Sequence, residues 1–130
     1  MKLEKDNKQI QKNDLEERLF IFVVNVLKYL RTIKTTEETK VIKYQLTKSC
    51  TSSGANFEEA QGCSTRADFN SKISISLKEM RESNYWLRIL YSLDVGNKAL
   101  SDKLVKESDE LKKILGSISS KVSKSLKKNK

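Results

Sequence analysis

No proline interrupts this 130-residue chain, and it holds only four glycines. Proline breaks helices by removing a backbone donor, and proline and glycine together build most tight turns. A chain this poor in both is free to form long uninterrupted helices and lacks the punctuation a sheet-rich domain needs. The expectation is an all-α fold. The length suits one domain, residues 1–130, and leaves no room for two sizeable cores.

Apolar spacing gives the helices. Leu15, Leu19, Phe22, Val23, Val26, Leu30 and Ile33 recur at three- and four-residue steps, which is one helix face over 14–34. The dozen residues before them are polar and are expected to fray. A second helix spans 37–62, opened by a capping box of Thr35 with Glu38. Within it, residues 49–56 are all small or short. Alone they would pass for a loop, but Phe57 and Ala60 resume the helical pattern, so a closely packed helix with back-bonded hydroxyls is expected. Gly62 stands where a helix C′ residue would. Thr65 with Asp68 suits another capping box, opening a third helix over 66–94. Gly96 ends it, and Asn97 caps a fourth over 98–125, followed by a frayed basic tail. Connections this short make neighbours antiparallel, giving an up-down-up-down four-helix bundle.

The third helix is apolar around more than half its circumference. Phe69, Ile73, Leu77, Met80, Leu87 and Leu90 make one stripe, while Ile75, Tyr85, Trp86, Ile89 and Leu93 lie outside it. Such a helix needs a second partner surface, in the bundle or between subunits.

Chemistry is hard to find. Cys50 and Cys63, thirteen positions apart on what reads as one helix, would sit roughly 20 Å from each other at about 1.5 Å per residue. That is too far for a disulfide, so both are expected to be free thiols in a reducing compartment. The polar start, with several acids, is unlike an export signal. The apolar run over 19–27 is far short of the ~20 residues a membrane span needs. A cytoplasmic protein without membrane contact is expected. Glu59, Glu79 and Glu82 suggest a carboxylate metal site, but such sites in bundles also use histidine, and the chain has none. Pairing of these acids with Lys72, Lys78, Arg66 or Arg88, or bonding to Asn56 and the serines, is the expected arrangement, fixing register between the second and third helices. There is no P-loop, dinucleotide fingerprint or zinc spacing. No catalytic residue, metal or cofactor is assigned.

The formal charge is +9, which favours an anionic partner such as nucleic acid. Lys112, Lys113, Lys121, Lys124, Lys127 and Lys128 cluster near the C-terminus, with Lys121, Lys124 and Lys128 on one helical face. These six are the candidate nucleic-acid contacts. Tyr85 and Trp86 could stack on bases, but mid-helix in so apolar a segment they read as core or interface residues.

The ordered series Gln45-Leu46, Ser49, Thr51-Ser52-Ser53-Gly54-Ala55-Asn56, Glu59-Ala60, Ser64, Arg66-Ala67-Asp68-Phe69, Lys72, Lys78-Glu79, Glu82 and Tyr85-Trp86-Leu87 resembles the bacterial four helix bundle protein family, also called 23S rRNA intervening-sequence proteins. The accessory variability determinant of diversity-generating retroelements looks like a relative. The match is dense over the middle third; the first and last helices match only as amphipathic helices. Cys50 departs from the family's small residue. The resemblance implies a protomer of a ring-like homopentamer, with Asn56, Glu59, Asp68, Phe69, Lys78, Glu79, Glu82, Tyr85 and Trp86 as structural motif positions. In the relative, the pentamer is basic, binds nucleic acid and engages a reverse transcriptase. The implied reading is a non-enzymatic accessory protein that binds RNA or DNA through its backbone; the rival is a protein-interaction scaffold that binds none.

Overall fold

The computed structural model describes residues 7–128, with side-chain surroundings over 14–127. All the regular structure there is helical: α1 Asn7–Leu30, α2 Glu37–Ala60, α3 Arg66–Ser92 and α4 Lys98–Lys128. α1 starts earlier than its apolar face suggested, so half of the stretch expected to fray is helix; residues 1–6 lie outside the described part. α4 likewise continues past 125. Leu19, Phe22, Leu46, Met80, Leu87 and Leu111 are among the buried residues that give every helix a share in one core. α3 packs most closely, against α2 on one side and α4 on the other, and α1 rests against α2 and α4. Among the described residues no helix is long and apolar enough to cross a membrane.

The helix ends correct the sequence reading in three places. The N-cap of α2 is Thr36, not Thr35. The Thr36 hydroxyl accepts from the Thr39 amide at 3.2 Å, and the Thr39 hydroxyl accepts from the Thr36 amide at 2.7 Å. A threonine thus closes the capping box that Glu38 was expected to close. Thr35 instead lies 3.0 Å from the Lys43 ammonium, which also donates to the Ile33 carbonyl just past α1. At the end of α2, Gln61, Gly62 and Cys63 donate in succession to Glu58, Glu59 and Ala60. This tightened last turn replaces a left-handed glycine. Cys63 therefore lies beyond α2 rather than on it. Both cysteines are free, and burial pushes the Cys50 thiol up to about 12.

α3 ends through Asp94, left-handed at φ 59, rather than through Gly96. Thr65 caps its start, accepting from the Asp68 amide at 3.1 Å. Asn97 caps α4, accepting from the Leu100 amide at 3.0 Å. Gly96, at φ 72, permits a close approach to α1 and the turn after it, since a Cβ there would stand 2.7 Å from Ile33 and 2.8 Å from the Thr32 hydroxyl. Gly96→Ala should cost about 2–3 kcal/mol, combining left-handed strain with overpacking. Gly116→Ala meets nothing within 4 Å and should gain up to ~1 kcal/mol from helix propensity. Urea midpoints at unchanged slope would register both.

The small-residue stretch of α2 is helix, as its flanks implied. Its hydroxyls do more than back-bond, however. Ser49 meets Ser83 at 2.8 Å, the Ser53 hydroxyl donates to the Ser76 carbonyl at 2.8 Å, and the Ser76 hydroxyl returns to the Ser53 carbonyl at 2.8 Å. Partner numbers fall along α3 as they rise along α2. All four serines are 0% exposed. Bonds from side chain to facing backbone require the helix axes to come very close, which only small residues permit. On the other side, Arg18 of α1 clamps α4 through Glu107 at 2.7 Å and Glu110 at 3.3 Å. Glu107, by accepting a hydrogen bond, raises the Arg18 pKa further. The buried Tyr29 hydroxyl donates to the Val95 carbonyl at 2.9 Å, tying α1 to the connection between α3 and α4.

The apolar residues expected outside the main stripe of α3 do lie outside it. Ile75, Tyr85 and Leu93 are exposed, while Trp86 and Ile89 are half-buried. On α1 and α2, Phe20, Val41 and Tyr44 are also well exposed.

A candidate nucleic-acid interface on the α3–α4 face

The six candidate lysines do not form one site. Lys112 is drawn inward, its ammonium 3.4 Å from both the Asp109 carboxylate and the side-chain amide oxygen of Asn84. Asn84 is itself buried, donating to the Ser108 hydroxyl at 2.8 Å and to Asp109 at 3.1 Å. This polar network fixes α3 against α4 and holds Lys112 in place. Lys113 next to it is exposed. Lys121, Lys124 and Lys127 are exposed further along α4, near the point where Arg66 bonds to Ser125. The Lys128 side chain lies outside the described residues.

What the lysine count missed is the contribution of α3. An open cleft of 550 Å³ between α3 and α4 is lined by Arg81, Asn84, Arg88, Lys112, Lys113 and Gly116. Gly116 has open space where a side chain would stand, so it leaves the cleft unfilled. Within 4.0 Å, Arg81, Arg88 and Lys113 have no ion-pair partner among the described residues. Asp109, already engaged by Lys112 and Asn84, is the acid of this network. The result is a concentrated positive potential with donors left over, which is what binds phosphate oxygens. Sequence held the signal in plain form: Lys78, Arg81, Tyr85 and Arg88 follow at steps of three and four and so share one face of α3. Tyr85 is 51% exposed, and the Arg88 guanidinium stands 5.9 Å from its ring centroid. Trp86, in contrast, packs against the core.

The carboxylates are arranged as structural groups only in part. Glu59 pairs with Lys72 at 2.9 Å, and Glu82 accepts from the Trp86 indole at 3.0 Å. Asn56 bonds back to Ser52 rather than to an acid. Glu79 has no side-chain partner among the described residues, though its carbonyl accepts from Ser83. The expected Glu59–Lys72 pair thus does join α2 to α3, and the buried serine contacts set the register along the rest of that interface. Asp68 sits exposed in the first turn of α3, and Phe69 packs partly against the core. Among the described residues no group of three or more His, Cys, Asp or Glu could hold a metal.

A second surface has the opposite character. The groove between α1 and α2, 710 Å³ in volume, is floored by Leu19, Phe20, Val23, Gly54 and Phe57 and rimmed by Glu16, Glu17 and Glu58.

Compared with known proteins, residues 11–117 match the sequence model of the 23S rRNA-intervening sequence protein family. A crystal structure from Bacteroides thetaiotaomicron, described as a protein with unknown function from the S23 ribosomal protein family, superposes with a TM-score of 0.72. It is 30% identical, and the alignment covers 81% of this chain and 97% of that one. No curated protein matches the chain at a significant level.

Proposed function

Because this chain belongs to the 23S rRNA-intervening sequence protein family, we propose that it acts as a non-enzymatic, homo-oligomeric accessory protein that binds nucleic acid through the α3–α4 face. The observation that carries this reading is the convergence of Arg81, Arg88 and Lys113 on an open cleft with no acid among its lining residues. Contacts to phosphate are mostly independent of sequence, so RNA and DNA are both eligible. The exposed lysines at the end of α4 extend the same field.

The protomer is a single antiparallel, up-down-up-down domain that assembles as a cytoplasmic, ring-like pentamer. Exposed Phe20, Val41 and Tyr44 on the α1–α2 side supply its assembly surface and leave the cationic cleft free. Repeating a cleft around a ring joins weak phosphate contacts through effective concentration. A reverse transcriptase is one partner such a module could serve. The α1–α2 groove, apolar with an acidic rim, favours a second reading: a scaffold that grips another protein and ignores nucleic acid.

Light-scattering mass, with and without a short RNA and at low and high salt, separates these readings. The expected result is a pentamer that gains mass with RNA at low salt and loses it at high salt. A pentamer indifferent to RNA would favour the scaffold, and a clean monomer would remove the ring.

A further inference from the structure

We infer that the nucleic acid held at this face is single-stranded, with an unpaired base stacked on Tyr85 beside the phosphate cleft. The inference rests on the function proposed above and adds the class of strand that the site selects.

Tyr85 stands among cations on the outer face of α3, with Arg81 and Arg88 on neighbouring turns. Tyr85 is 51% exposed, and its ring makes a T-shaped contact with Trp86, the centroids 5.2 Å apart with an interplanar angle of 67°. The T-shaped contact with Trp86 and the Arg88 guanidinium 5.9 Å from the centroid orient the ring, and half of the residue stays exposed. Next to it lies an apolar hollow of 300 Å³ lined by Tyr85, Arg88, Ile89, Ser92 and Leu93, with no acid among them. Arg88 belongs to this hollow and also to the basic cleft. An apolar seat for a flat group thus adjoins a seat for an anion, with one guanidinium shared between them. A nucleotide has this pairing of parts, a planar base joined to a phosphate.

A duplex cannot use the arrangement, because its bases are stacked inside and show only their edges. Single strands offer base faces, and aromatic side chains flanked by cations are how proteins without sequence preference hold them. The cations alone would take either kind of strand. Tyr85 and its hollow are what distinguish the two.

The test uses the full-length protein, a labelled twelve-nucleotide oligoadenylate and a duplex of the same length, titrated by anisotropy at two salt concentrations. Tyr85→Ala should weaken oligoadenylate binding by about tenfold, leave duplex binding in place, and leave the salt slope unchanged, since no charge is removed. The single tryptophan, Trp86, gives an independent readout: its emission should change with the single strand and not with the duplex. Equal loss for both strands, or no loss for either, overturns the stacking role while the proposed phosphate binding stands. A change in oligomeric mass on Tyr85→Ala without RNA also overturns it, because the hollow would then be a contact between copies. Wild-type protein that binds neither strand at low salt removes the proposed function itself, and the inference with it.

Discussion

Replacing Ser53 by leucine should cost about 2–4 kcal/mol, a large share of the roughly 5–15 kcal/mol that holds an ordinary small domain folded. Ser53 exchanges hydroxyl–carbonyl bonds with Ser76 in both directions, each at 2.8 Å, in a site with no exposure. Leucine removes the Ser53 donor and leaves the Ser76 carbonyl with its helical partner alone, a loss of about 0.5–1.5 kcal/mol. Its volume has nowhere to go, because the facing atoms are backbone. The helices must separate, adding ~1–3 kcal/mol of overpacking and lengthening the bonds of the Ser49–Ser83 pair. Ser53→Ala, which loses the bond without adding bulk, should cost only about 1–2 kcal/mol. Thr51→Leu, on the exposed side of α2, should stay within ~0.5 kcal/mol. Urea unfolding followed by helical circular dichroism ranks the three. Leucine and alanine variants of equal stability would show that the axes are not held together at this point.

That pair of serines also marks how far the sequence could be read. The four helices were legible because their apolar faces repeat at helical spacing and the breaks carry threonine or asparagine caps. Even the serine-rich stretch could be placed in a helix, since Phe57 and Ala60 resumed the pattern. Its partners could not, because a hydroxyl on α2 has no local feature pointing to a carbonyl twenty-three residues away. Adjacent residues of one type raise a similar difficulty. Thr35 and Thr36 are equally good caps in isolation, and the choice fell to Thr36 because Thr39 returns its bond. The basic site was half legible. Consecutive lysines on α4 stand out as a run, whereas Arg81 and Arg88 are separated by six residues, among them Glu82, and converge only once α3 packs on α4. Counting charges along the chain therefore favoured the end of α4. The fold moves the weight toward the cleft at its middle.

The same shift of weight yields the second large effect. Arg81→Glu, Arg88→Glu and Lys113→Glu together should weaken RNA binding by at least about a hundredfold at low salt, and should flatten the salt dependence by about two to three logarithmic units per protomer. Each lost phosphate contact removes roughly 0.7–0.9 from that slope, and each new carboxylate adds repulsion. All three residues are exposed and outside the core, so the fold should survive, and an unchanged melting curve would verify it. Lys112 is left in place because its reversal would set a second acid against Asp109 and break the Asn84 network, mixing stability with binding. The matched comparison is Lys121→Glu, Lys124→Glu and Lys127→Glu, which carries the same change of charge to the end of α4. Long-range attraction would weaken the two triple variants alike, because it follows net charge. Convergence makes the cleft variant the weaker binder, since Arg81 and Arg88 offer forked donors to one phosphate where the distal lysines stand apart. Equal losses would return the site to a diffuse basic surface, and a greater loss from the distal set would place it at the end of α4.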